Sequence, residues 1–311
     1  MNRFCLTNFK MKHYSTLKEV HDAYGFPPPE NPLISILFDA ERAENFGNHI
    51  PEHTCDLYMI CLKKKTSGSM KYGYGNTKYD HTNGTMFFLN PRQIMELNDV
   101  EQKVEGYLLF IHQDFLNGHP LHHEIKKYGF FEYEINEALH LSPSEEKIIG
   151  ELFQKIAIEY GNNQDEFSRE IMLSHVQSLL KYGNRFYKRQ FINRTIISGY
   201  TINKFNEVLA GYIKKDIIEK QGLPTVKSIA SKLNVSPRYL SDLLKQETGK
   251  TAIDLIHLSL ISEAKNLLKA KNLSVSEIGY ALGFENSSYF SKLFKKEVGI
   301  SPTKFREELL N

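Results

Sequence analysis

The sequence predicts an α+β fold: a β-rich N-terminal half, a helical hairpin, and an all-α C-terminal domain built from two helix-turn-helix units. Three observations carry this. Short apolar runs separated by turn clusters fill residues 33–135. The apolar spacing switches to a helical period near residue 142. An internal repeat occupies the last hundred residues.

The β-like half begins after a stiff connector. Pro27-Pro28-Pro29-Glu30-Asn31-Pro32 suits neither a helix nor a central strand. Residues 1–26 before it read as an arm without strong periodicity. The apolar runs are ISILF (34–38), DLYMICL (56–62), TMFFL (85–89) and GYLLFI (106–111). Turn clusters at Ser67-Gly68-Ser69, Gly73–Asn76, Thr82-Asn83-Gly84 and Asn90-Pro91 punctuate them. This pattern suits a small sandwich or barrel.

Ser142 and Ser144, followed by Glu145 and Glu146, mark a helix start. Ile149, Leu152, Phe153, Ile156, Ala157 and Tyr160 then recur at helical spacing. A second helix is expected over 165–182. The hairpin reads equally as a dimer interface or as a cap on the β core. Residues 183–203 mix Arg185, Lys188, Arg189 and Arg194 with aromatics. This stretch reads first as a solvated linker and second as a segment near DNA. The resulting boundaries are 1–32, 33–140, 141–202 and 203–311.

The repeat sets YLSDLLKQETG (239–249) beside YFSKLFKKEVG (289–299), identical at six positions with an offset of 50. Upstream, Ile229-Ala230 and Leu233 match Ile278-Gly279 and Leu282 with an offset of 49. The second unit therefore carries one extra residue in its turn. In the first unit Thr225 caps a helix over 226–233. Asn234 and Val235 turn the chain, Ser236 caps the next helix, and Pro237 suits its first position. In the second, Ser274 or Ser276 starts a helix, Gly283 turns it, and Glu285 or Asn286 starts the next. Gly249 and Gly299 supply stops. Ile229, Leu233, Leu240, Leu243 and Leu244 fill one small core. Ile278, Leu282, Phe290, Leu293 and Phe294 fill another. A helix over 253–270 joins the units.

Charge supports a polyanion partner for this part. The chain is +2 overall, but residues 203–311 hold 17 Lys+Arg against 12 Asp+Glu. Exposed early positions of a recognition helix read base edges. These are Arg238, Ser241 and Asp242 in the first unit, and Asn286, Ser287, Ser288, Ser291 and Lys292 in the second. Arg238 can bond guanine bidentately. Asp242 can accept only from base amines, and a local pairing role suits it better. Lys245, Lys295 and Lys296 read as phosphate contacts or as solvated lysines.

Residues 225–306 resemble the DNA-binding domain of the AraC/XylS family of bacterial regulators. The residues that carry the resemblance are AKNLL (264–268), IGYALGF (278–284), SYFSKLFKK (288–296), GISP (299–302) and Phe305-Arg306. Arg185–Phe191 and Gly222–Val226 resemble a Bacteroidetes-type branch. Two departures stand out. Leu258, Ser259 and Leu260 stand where members often carry an Arg, and Ile278-Gly279 replaces the commoner Ile-Ala.

The resemblance implies a cupin-like β-barrel or jelly roll at the N-terminus that senses a signal, such as a small-molecule effector, or dimerises. It also implies double-stranded DNA as partner, a homodimer as the assembly, RNA polymerase as a candidate contact, and a cytoplasmic site of action. Tyr58, Tyr72, Tyr74 and Phe87 are candidate pocket residues, although core packing is the more frequent use of such aromatics. No cofactor or metal is expected. His49 and His53 lack the further ligands of a metal triad, and His112, His119, His122 and His123 read as surface residues around a loop. That argues against a metal-dependent enzyme with a DNA-binding tail. Cys5, Cys55 and Cys61 lack metal or disulfide spacing and any activating setting, so a covalent alkyl acceptor is disfavoured. No apolar run is long enough to span a bilayer, and no signal peptide is legible.

Overall fold

The computed structural model describes residues 11–41, 49–64, 84–97, 103–134, 137–163, 165–198, 200–213, 218, 222–269 and 273–308. The chain forms two compact units, Met1–Gln190 and Phe191–Asn311. Cys5, Tyr72, Tyr74 and the turn clusters at 67–69 and 73–76 lie outside the described residues.

The first unit opens on a short strand β1 (Lys12–Tyr14) and a helix α1 (Leu17–Tyr24). The stretch read as an arm without strong periodicity thus holds a strand and a helix over these residues. Thr16 and Glu19 form a reciprocal capping box, and Leu17, Val20, His21 and Tyr24 fall on one buried face. Six further strands follow: β2 (Ile34–Glu41), β3 (Ile50–Cys55), β4 (Leu57–Lys63), β5 (Thr85–Leu89), β6 (Met95–Leu97) and β7 (Lys103–His112). A helical turn α2 (Leu121–Glu124) and a last strand β8 (Leu139–His140) complete the β region.

Among the described residues the strands make two sheets, β2-β7-β4-β5-β8 and β1-β3-β6, rather than a closed barrel. Of the expected β-barrel or jelly roll, the closed barrel is not formed among these residues. The ladders show why: β3 pairs with β1 and β6, while β4, two residues on, joins the other sheet. Both sheets and α1 feed one core, which includes Tyr14, Leu17, Tyr24, Ile50, Met59, Met95 and Phe110.

His53 is buried in that core. Its Nδ1 lies 2.7 Å from the Pro51 carbonyl, which can only accept, so Nδ1 carries the proton. Nε2 then accepts from the Tyr24 hydroxyl at 2.8 Å. This histidine is a satisfied core residue that ties α1 to β3.

Helices α3 (Pro143–Gly161) and α4 (Ser168–Ser198) form the expected hairpin. Ser142 and Glu145 make a capping box, with Pro143 at the first helical position. Tyr107 on β7 stacks on Phe153 of α3, centroids 5.1 Å apart. Gly183 lets α4 approach the five-stranded sheet, because a Cβ there would lie 3.1 Å from Phe88 Cζ. Helix α4 also overturns the linker expectation for 183–198. Its aromatics face inward: Phe186, Tyr187 and Phe191 are buried. Arg189 donates to the Glu145 carboxylate at 2.7 Å and to the His140 carbonyl at 2.7 Å.

Among its described residues the second unit is helical: α5 (Tyr200–Ile213), α6 (Val226–Leu233), α7 (Pro237–Thr248), α8 (Ala252–Lys269), α9 (Val275–Ala281), α10 (Ser287–Val298) and α11 (Pro302–Glu308). The two small cores expected from the repeat merge into one. Ile256, Leu260, Ala264 and Leu268 of α8 lie between Ile229, Leu240 and Leu244 on one side of the repeat and Ile278, Phe290 and Phe294 on the other. Phe205, Leu209 and Tyr212 of α5 join the same cluster.

Candidate nucleic-acid interface

Helices α6 and α7 make the first helix-turn-helix. The Thr225 hydroxyl accepts from Ser228 N at 3.0 Å and starts α6. Asn234 closes it in the left-handed region, φ 55°. Ser236 Oγ accepts from Tyr239 N at 3.2 Å, and Pro237 takes the first position of α7. Helices α9 and α10 repeat the arrangement. Ser274, not Ser276, caps α9, and its own N–H donates to Glu277 at 2.6 Å. Asn286, not Glu285, caps α10: its side-chain oxygen accepts from Ser288 N at 2.8 Å and Tyr289 N at 3.4 Å.

The extra residue of the second turn is accommodated by Gly283 at φ 83°. A Cβ there would lie 2.9 Å from Ile218 Cγ2 and 3.1 Å from Leu223 N. Gly279 also allows close approach, with Phe290 Cδ1 3.2 Å from where a Cβ would be. Both recognition helices end on left-handed glycines, Gly249 and Gly299.

On α7, Arg238 is exposed and its Nε donates to Asp242 Oδ2 at 3.1 Å. Asp242 therefore has the local partner expected of it. Ser241 is half-buried, and its hydroxyl accepts from Ala252 N at 3.4 Å, at the start of α8. On α10, Ser288 and Lys292 are exposed, while Ser287 and Ser291 are half-buried. Asn286 is exposed but occupied as a cap. Lys245, Lys295 and Lys296 are exposed near the ends of their helices. Lys296 also lies 3.6 Å from Glu297. His257 on α8 is held below the ordinary histidine value, chiefly by burial.

Two exposed aromatics escaped the sequence reading. Tyr289, the third residue of α10, is 52% exposed, and Tyr280 on α9 is 58% exposed. The repeat itself concealed Tyr289, because it equates this residue with Tyr239, which is 1% exposed. An aromatic between exposed Ser288 and Lys292 was the available signal.

Of the candidate pocket aromatics, the two described ones, Tyr58 and Phe87, are not brought together. Tyr58 on β4 packs edge-on against Phe131, centroids 5.3 Å apart. Phe87 on β5 pairs with Cys61, three residues beyond Tyr58 on β4, and so stands on the opposite face of the sheet. It packs against the core between the two sheets.

A helix-turn-helix domain family model matches residues 229–308. The chain is 34% identical over 110 residues to the Msm operon regulatory protein of Streptococcus mutans, covering 35% of this chain and 40% of that one. It is 24% identical over 266 residues to the uncharacterized HTH-type transcriptional regulator YfiF of Bacillus subtilis, covering 82% and 78%. Over 89 residues it is 36% identical to the arabinose operon regulatory protein of Escherichia coli, covering 28% and 30%. The matches thus span less than half of the first and third of these relatives. All three are named as regulators, and none as an enzyme.

Proposed function

We propose that the C-terminal unit is an AraC-type helix-turn-helix domain and that the chain is a sequence-specific transcription regulator. It reads double-stranded DNA through α7 and α10 in successive major-groove segments. The observation that carries this reading is the shared core. Two recognition helices of the same design rest on one rigid connector, α8, which holds their separation constant.

The roles divide within each helix. Arg238 on α7, with Ser287, Ser288, Ser291 and Lys292 on α10, meets base edges, and Asp242 serves as the local partner of Arg238. Ser241 and Asn286 contribute mainly by fixing their helices, given the bonds they already make. Lys245, Lys295 and Lys296 contact phosphate and supply affinity without sequence preference.

The N-terminal unit responds to a small-molecule effector in this reading, and the protein acts as a homodimer that engages RNA polymerase. Exposed Ile158, Phe167 and Ile171 at the closed end of the α3–α4 hairpin support self-association there.

The test is selection of bound fragments from genomic DNA by the purified chain, with binding followed against salt. A shared site spanning two major-groove segments, with affinity falling steeply as salt rises, is the expected result. Recovery of no common motif would overturn the proposal.

A further inference from the structure

The two halves of the repeat treat one residue differently. Tyr239 and Tyr289 are each the third residue of a recognition helix. Tyr289 is 52% exposed and touches Phe284, its own neighbour in the turn, at a centroid distance of 5.9 Å. Tyr239 is 1% exposed. Phe191 meets it in a T-shaped contact, centroids 5.2 Å apart and planes at 75°. Phe191 is itself 4% exposed and lies in α4, outside both helix-turn-helix units. Among the described residues no aromatic from outside the repeat covers Tyr289.

The contact adds a second line of support to α7. Leu240 and Leu244 hold its inner face against the shared core. Tyr239 precedes Leu240 by one residue, so it projects about 100° away around the helix. A helix held along one face can still roll about that contact. A helix held along two faces cannot. Arg238 sits on the next position again, so any roll of α7 carries its guanidinium with it. Base reading tolerates displacement of only about half an ångström. Helix α10 is held at Phe290, Leu293 and Phe294, but among the described residues no ring from outside the repeat packs on its Tyr289.

We propose that Phe191 is a positioning residue for the first recognition helix: its ring, packed on Tyr239, fixes the rotation of α7 and so the place where Arg238 is presented. This rests on the reading of α7 as a base-reading helix.

The test uses the full chain carrying Phe191→Ala or Phe191→Leu. Amide hydrogen exchange over 237–248 is compared with that over 287–298. Binding to the selected site is compared with binding to a scrambled duplex. For Phe191→Ala, exchange in α7 rises at least fivefold while α10 is unchanged. The specific-to-scrambled affinity ratio falls about tenfold, and the salt slope stays the same, since no phosphate contact is lost. Phe191→Leu keeps apolar bulk but no ring edge and shows the same pattern at about threefold.

Equal rises in both helices, or an unchanged ratio, would overturn the proposal. If the alanine variant does not fold, wild-type behaviour of the leucine variant overturns it. If the wild-type chain selects no site, the DNA reading itself has failed, and the exchange comparison still decides whether Phe191 steadies α7.

Discussion

Arg238 and Asp242 stand one turn apart on α7, joined by a charge-assisted hydrogen bond of 3.1 Å from Nε to the carboxylate. An exposed pair at this spacing contributes only about 0.3–0.5 kcal/mol. A bidentate base contact discriminates by about 1–3 kcal/mol. On the proposed reading the guanidinium therefore leaves this partner for a guanine edge.

Arg238→Ala should relax preference at one position of the selected site and cost about 1–3 kcal/mol there. Asp242→Asn should raise affinity for all sequences a few-fold, because it removes a carboxylate that faces phosphates. Competition binding on single-base site variants measures both. Uniform weakening by Arg238→Ala would make that residue a phosphate contact instead.

Lys245→Ala, Lys295→Ala and Lys296→Ala should each weaken binding to specific and scrambled DNA alike. Each lost contact should reduce the slope of log affinity against log salt by about 0.9. A slope unchanged in all three variants would identify these lysines as solvated.

Gly283→Ala should destabilise the second unit more than Gly249→Ala. Both glycines are left-handed, which costs alanine about 1–2 kcal/mol. A Cβ at 249 meets nothing within 4 Å, whereas one at 283 presses on Ile218 and on the backbone of Leu223. About 1–3 kcal/mol more is expected at 283. Urea midpoints of the two variants decide it, and equal midpoints would refute the close packing.

Acid should loosen the N-terminal unit before its carboxylates titrate. Burial holds His21, His53 and His175 below the ordinary histidine value of 6.5. The unfolded chain then binds more protons than the folded one as pH falls below that value, so stability is full above it and lost on the way down. The urea midpoint should drop between pH 7 and pH 5, and a flat profile would contradict the burial. Cys55 and Cys61 are pushed up to about 11 and about 12. Both should resist iodoacetamide at pH 8 until the protein is unfolded, as read by peptide mapping.

Much of the second unit could be read from the sequence, because its determinants are local. Thr225, Ser236, Ser274, Gly249 and Gly299 each act within four residues of where they stand. What could not be read there was the merging of two cores, which depends on α8 lying between them. In the first unit, strand positions were legible but sheet membership was not. A break at Asp56 sends β3 and β4 into different sheets, and no periodicity records it. Helix α1 was legible and overlooked: Thr16 and Glu19 spell a capping box, and Leu17, Val20, His21 and Tyr24 keep helical spacing. The short strand β1 is recognisable only through its parallel pairing with β3. Of the pocket aromatics, Tyr58 and Phe87 fall on opposite faces of one sheet, which follows from strand alternation once the pairing of β4 with β5 is known.

The ladder between β2 and β7 has a kinetic consequence. It pairs Ile34 with Ile111, so a long stretch of chain must close before β2 can join the central sheet. The helices of the second unit start from capped turns and collect partners close by in sequence. Chains rich in nearby contacts fold orders of magnitude faster than those that wait on distant strands. Refolding should therefore proceed in two phases, with helical signal from the C-terminal unit recovering well before the β-sheet signal.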